Sequence, residues 1–201
     1  MDKISEKYKK YIVEIKLNRE KKLFVSGMNI SKDYDDFLLI DIHDKILIFN
    51  NLDQIKTFIL ENRDLPDKNN LHKWVREFKS QKPYVTYDID KIDHIIKTSS
   101  GFKELSADAL SQIVDLINIV GDYAYQVNHK ELILLFEDKS IDLFKELFMD
   151  MYIWKENIEN PKSDLENLMK DIPYVDFKLS FEKLIILFSQ QFSSCFNYLP
   201  H

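Results

Sequence analysis

The spacing of hydrophobic residues suits strands up to about residue 50 and mainly helices beyond it. Before that point apolar positions fall in short β-rich runs: Tyr11–Leu17 with partial alternation, then Leu23–Val25, Phe37–His43 and Ile46–Phe49. The charged stretch Asn18–Lys22 separates the first two runs, and His43-Asp44-Lys45 separates the last two. So short a connection predicts a hairpin, and the four runs together predict a small antiparallel sheet.

After residue 50 the period becomes helical. Asn50 or Asn51 is placed to cap a helix whose Leu52, Ile55, Phe58 and Ile59 form one apolar stripe. Leu65-Pro66-Asp67 interrupts the pattern, and Leu71, Trp74, Val75 and Phe78 predict a second helix over Asn70–Lys79. Pro83 ends it, leaving Tyr84–Asp90 as a strand and Ile89–Ile96 as a short helix. Ser106 caps the strongest helix, with Leu110, Ile113, Val114, Ile117, Val120 and Ala124 inward and Asp108, Asp115 and Asp122 outward. Leu132–Phe136 fits a strand or a buried helix equally, because short apolar runs do not decide. Ile141–Trp154 reads as an acidic helix ended by Asn160-Pro161, Lys162–Asp171 as a further one, and Phe181–Leu199 as a last, Phe-rich helix.

The expected class is therefore α+β: a small antiparallel sheet in the N-terminal part and a mainly helical C-terminal half. The 201 residues suit a single α+β domain, with a joint at Ser99–Lys103 that would divide it into a sheet-plus-helices part, 1–100, and a helical part, 104–201. An apolar content of 45% excludes a disordered chain. Only three glycines occur, too few and too scattered for a phosphate-cradling loop. The single cysteine, Cys195, permits no internal disulfide, and MDKISEKYKKY has no signal-peptide core, so a cytoplasmic location is expected. The most apolar stretch, Leu184–Leu199, is short and broken by Ser and Gln, so no membrane span is expected.

Charge sharpens the picture. Residues 104–176 carry 16 Asp/Glu against 6 Lys/Arg, whereas the first 32 residues carry 9 Lys/Arg against 4 Asp/Glu. The early lysines, Lys3, Lys7, Lys9, Lys10, Lys21 and Lys22, read as a solvated positive face. With a pI near 5.4, direct nucleic-acid binding is not expected.

Candidate chemistry is sparse. Asp41 and His43 would share a strand face and begin a metal or acid–base pair, but no distant partner stands at ligand spacing. Asp88-Ile-Asp90-Lys-Ile-Asp93 lacks the glycine and final glutamate of a calcium loop, and Asp88 or Asp90 as a helix N-cap explains it more simply. Cys195 reads as a buried structural thiol. No cofactor is expected. The acidic block carries more: Asp142, Glu146 and Asp150 are four residues apart, hence stacked on one helix face, where like charges repel. Tyr123, Tyr125, Tyr152 and Trp154 offer aromatic anchors nearby, and such a face suits a cationic protein partner.

The strand-rich opening Tyr11–Phe49, the Asn51–Asn62 helix and the acidic block Glu104–Asp176 together resemble the bacterial immunity proteins of contact-dependent growth-inhibition and related polymorphic-toxin systems. The resemblance is one of type. It implies one-to-one binding of a cognate toxin domain, often a basic nuclease, without any chemistry by the immunity protein. Charge and aromatic pattern then nominate Asp142, Glu146, Asp150 and Trp154 as partner-binding residues, followed by Asp115 and Asp122. Two other functions are weighed: a small metal-assisted hydrolase using Asp41 and His43, and a structural or regulatory adaptor that forms homo-oligomers through its last helix.

Overall fold

Asn18 and Arg19 both take left-handed backbone, with φ of 54° and 64°, and fold β1 (Lys10–Leu17) back onto β2 (Glu20–Asn29). Paired left-handed residues match the right-handed twist of the flanking strands, which is why a two-residue turn suffices. In the computed structural model, which describes residues 3–30, 35–78, 82–152 and 173–194, this hairpin anchors an α+β fold. The chain divides into two compact units, Met1–Ile89 with Ser189–His201, and Asp90–Phe188.

The first unit opens with α1 (Lys3–Tyr8) and builds a four-stranded sheet in the order β3-β2-β1-β5, where β3 is Asp35–Leu38 and β5 is Val85–Asp88. The first three strands are antiparallel as expected, but β5 joins β1 in parallel, so the sheet is mixed. The run predicted over Phe37–His43 is a ladder only to Leu38. Its continuation is a single bridge, Ile40 to Ile46, across the tight Asp41–Lys45 turn. The following strand, β4 (Ile46–Ile48), finds its ladder partner in β6 (Phe192–Ser194), which runs parallel to it. Asn51 caps α2 (Leu52–Glu61) by accepting from the Gln54 amide at 3.0 Å, and α3 spans Lys68–Glu77. Their apolar stripes, Ile55, Phe58, Ile59, Leu71, Trp74 and Val75, close one core with Val25, Phe37, Leu47 and Phe49.

One side chain of that core contradicts the sequence reading. Lys10, expected on a solvated face, is fully buried. Its ammonium lies 2.7 Å from the Asp67 carboxylate and also donates to the carbonyls of Tyr8 and Met28, which satisfies all three N–H bonds. Gly27 makes room: a Cβ there would stand 2.4 Å from the Lys9 carbonyl oxygen and 2.9 Å from Lys10 Cδ.

The second unit takes in most of α4 (Ile89–Thr98), then α5 (Ala107–Gln126), α6 (Lys130–Phe136), α7 (Lys139–Tyr152) and α8 (Tyr174–Ser189). Ser106 caps α5 as expected, and the inward stripe of Leu110, Ile113, Val114, Ile117, Val120 and Ala124 is buried. The ambiguous Leu132–Phe136 run is helical, started by His129, whose Nδ1 accepts from the Leu132 amide. Asp138 accepts from Ser140 and, at 3.1 Å, from the Ser180 hydroxyl, which ties the start of α7 to α8. Phe102, Phe144, Phe177 and Phe181 pack as an aromatic cluster.

The last helix is shorter than expected. It stops at Ser189, where Ser-Gln-Gln interrupts the apolar stripe, and Phe192 belongs to β6 rather than to a helix face. Cys195, Phe196, Leu199, the Asn160-Pro161 stop and the predicted Lys162–Asp171 helix lie outside the described residues. Among the described residues, no helix is long and apolar enough to cross a membrane.

Candidate functional site

Two sequence candidates are consumed by structure. The Asp41 carboxylate accepts the backbone N–H groups of His43 at 2.7 Å and Lys45 at 3.0 Å, so it shapes the turn rather than facing a ligand with His43. Among the described residues, no three His, Cys, Asp or Glu side chains gather as metal ligands. Asp88, offered with Asp90 as a helix cap, directly precedes α4 and pairs with Lys16 at 2.9 Å.

Lys3 is exposed, and the other early lysines have carboxylate neighbours. Lys7 pairs with Glu77, Lys9 with Glu6 and Lys16 with Asp88, each at 2.9 Å. Lys22 lies 3.0 Å from Glu20, Lys21 lies 4.0 Å from Glu14, and Lys10 is buried against Asp67. Their charge is therefore locally balanced. The imbalance that remains follows the unit boundary. Asp90–Phe188 carries 19 Asp/Glu against 11 Lys/Arg, a net of −8, which leaves +2 for the rest of the chain.

Within this second unit, α5 displays the imbalance most openly. Asp108, Asp115, Asn118, Asp122 and Tyr125 are all exposed and recur at helical spacing along its outer face. At 1.5 Å per residue the row from Asp108 to Tyr125 is about 25 Å long. Asp115 is exposed as a residue, yet neighbouring protein atoms desolvate its carboxyl and raise its pKa above the ordinary aspartate value.

The row ends on an aromatic corner. Tyr125 is 52% exposed and donates its hydroxyl to the Glu137 carboxylate, a bond that raises the tyrosine pKa. Its ring meets Phe136 edge-on, with centroids 5.7 Å apart. Lys145 sets its ammonium 3.9 Å from the Phe136 centroid and 3.1 Å from Asp142, so this corner already holds one cation of the chain's own. Leu134, 70% exposed, stands on α6 one turn before Glu137. Gly121 lets the corner close: a Cβ there would fall 2.4 Å from the Phe136 ring.

The nominated residues are thus distributed unevenly. Asp115 and Asp122 share the α5 row, and Asp142 is linked to its Tyr125 end through Lys145 and Phe136. Glu146 is exposed one turn beyond Asp142 on α7. Asp150 belongs to α7, but its side chain, like Trp154 and the side chain of Tyr152, lies outside the described residues. Tyr123 is not an anchor: it is buried and packs against Phe188. Sequence reasoning missed Leu134 and Glu137. The available signal was Gly121, a glycine inside a strong helix of a glycine-poor chain, which marks close approach by another element.

No family model matches the chain, and no curated protein matches it. A solved structure does: the C-terminal domain of SatS in complex with bromine, at 14% identity and a TM-score of 0.55, covering 96% of this chain and 98% of that one. At that identity the likeness shows the fold alone.

Proposed function

We propose that this protein is a non-enzymatic immunity protein, which binds a basic toxin domain, a nuclease by class, and neutralises it by covering its active surface. The observation that carries the reading is the α5 row: three carboxylates seven residues apart, about every second turn, ending on an exposed tyrosine. A hydrophobic anchor set among like charges suits a protein partner of opposite charge, because the anchor supplies affinity while the field speeds encounter. Nuclease domains grip phosphates with Lys and Arg, which makes them such partners.

The test is growth rescue. The C-terminal domain of a large secreted protein encoded beside this reading frame is expressed from an inducible promoter in a bacterial host, with and without this chain. Relief of growth arrest, with a one-to-one complex on size exclusion, is the expected result. Arrest that persists, with no complex formed, would refute the assignment.

A further inference from the structure

We infer that the Tyr125 corner of the second unit is where an arginine of the partner docks, with its guanidinium on the Tyr125 ring beside Glu137. The inference rests on the proposed binding of a basic partner and names the side chain that the surface reads.

Three observations converge. Tyr125 is 52% exposed, an aromatic ring open to solvent at the end of the acidic α5 row. The Tyr125 hydroxyl is fixed on Glu137, which holds the ring and a carboxylate together at one point. The neighbouring ring, Phe136, already carries the Lys145 ammonium at 3.9 Å, and that ammonium is paired with Asp142. The chain itself therefore shows the combination of aromatic face, carboxylate and cation that the corner can hold. Lys145 occupies the Phe136 position, leaving Tyr125 as the ring that faces solvent. Arginine fits better than lysine here, because its planar, weakly hydrated guanidinium stacks on a ring while still donating to a carboxylate. The net −8 of the unit supplies charge complementarity for such a segment.

The probe is a short acetylated Gly-Arg-Gly-Arg-Gly amide titrated into the isotope-labelled full chain at low salt and followed by amide chemical shifts. The control is the same peptide with citrulline, which keeps the shape of arginine and removes its charge. The expected result is that the arginine peptide shifts the amides of Tyr125, Phe136 and Glu137 more than those of Asp108 and Asp115. Citrulline leaves them in place, and Tyr125→Leu weakens binding at least fivefold. Glu137→Gln, which keeps an acceptor for the tyrosine hydroxyl, gives an intermediate loss. Uniform shifts along α5 with an affinity unchanged by Tyr125→Leu would overturn the corner while leaving the acidic face as a basic-partner surface. Shifts confined to residues outside the second unit would overturn both. Dispersed spectra of each variant separate loss of contact from loss of fold.

Discussion

Lys10 and Asp67 share a site with no water access, their side chains 0% and 1% exposed, and each depends on the other for its charge. Burial pushes the Asp67 carboxyl up, but hydrogen bonds from Lys10 and Asn70 outweigh it and hold its pKa below the ordinary 3.8. The unfolded chain then binds more protons than the folded one as pH falls through 3.8, so this part of the stability is present above that pH and lost below it. Asp67→Asn is expected to flatten the acid limb of a stability–pH curve measured by urea unfolding. Lys10→Met alone strands a buried carboxylate and is expected to cost about 3–5 kcal/mol, while Lys10→Met with Asp67→Leu recovers most of that. If the double variant is no more stable than the single, the pair is not the unit described. Trp74 offers a second residue-scale test, since its indole N–H is buried and meets no acceptor among the described residues. Trp74→Phe should therefore cost less than about 1.5 kcal/mol, against roughly 3–5 for Trp74→Ala. Neither feature was legible in sequence. A lysine two residues before a buried isoleucine gives no sign that its partner lies far along the chain, and Tyr123 and Tyr125 look alike until a helix turns one inward and the other out.

At the scale of elements the sequence was more readable, because helices are written locally. The caps at Asn51 and Ser106 and the stripes of α2, α3 and α5 follow from spacing alone. Strand pairing does not: β5 joins β1 in parallel across more than 60 residues, and β6 returns to β4 from the far end of the chain. That return explains why a run read as the end of a helix became a strand. A chain ending at Phe188 loses β6 and, just before it, the Gln191 carbonyl that accepts the Ile46 amide at 2.7 Å. The first unit is expected to lose roughly 2–4 kcal/mol, and hydrogen exchange at the Ile46 amide should accelerate. Unchanged protection there would show that β6 contributes nothing. Gly121 gives the converse test. Alanine in a helix interior ordinarily stabilises by about 0.5–1 kcal/mol relative to glycine, but here the added methyl meets the Phe136 ring at 2.4 Å. Gly121→Ala is expected to destabilise by roughly 1–3 kcal/mol and to displace Phe136 from Tyr125. A gain in melting temperature would contradict the close approach.

For the whole molecule, the charge asymmetry seen in the sequence proves to follow the two compact units, and the basic opening is cancelled by carboxylates that only the fold brings near: Glu77 to Lys7, Asp67 to Lys10, Asp88 to Lys16. What remains is an acidic second unit with an aromatic corner. Fast association with a basic partner, weakened by salt, is the property such a surface confers. The measurement that tests this most directly is the association rate between this chain and the basic toxin domain proposed as its partner across an ionic-strength series, for the natural protein and for Asp115→Lys/Asp122→Lys and Asp142→Lys/Glu146→Lys. The account predicts a steep fall in rate with salt for the natural protein, a slope made shallower by each charge reversal, and at least a tenfold slower association at low salt for the reversed α5 row. A rate independent of salt and unmoved by either pair of reversals would contradict it.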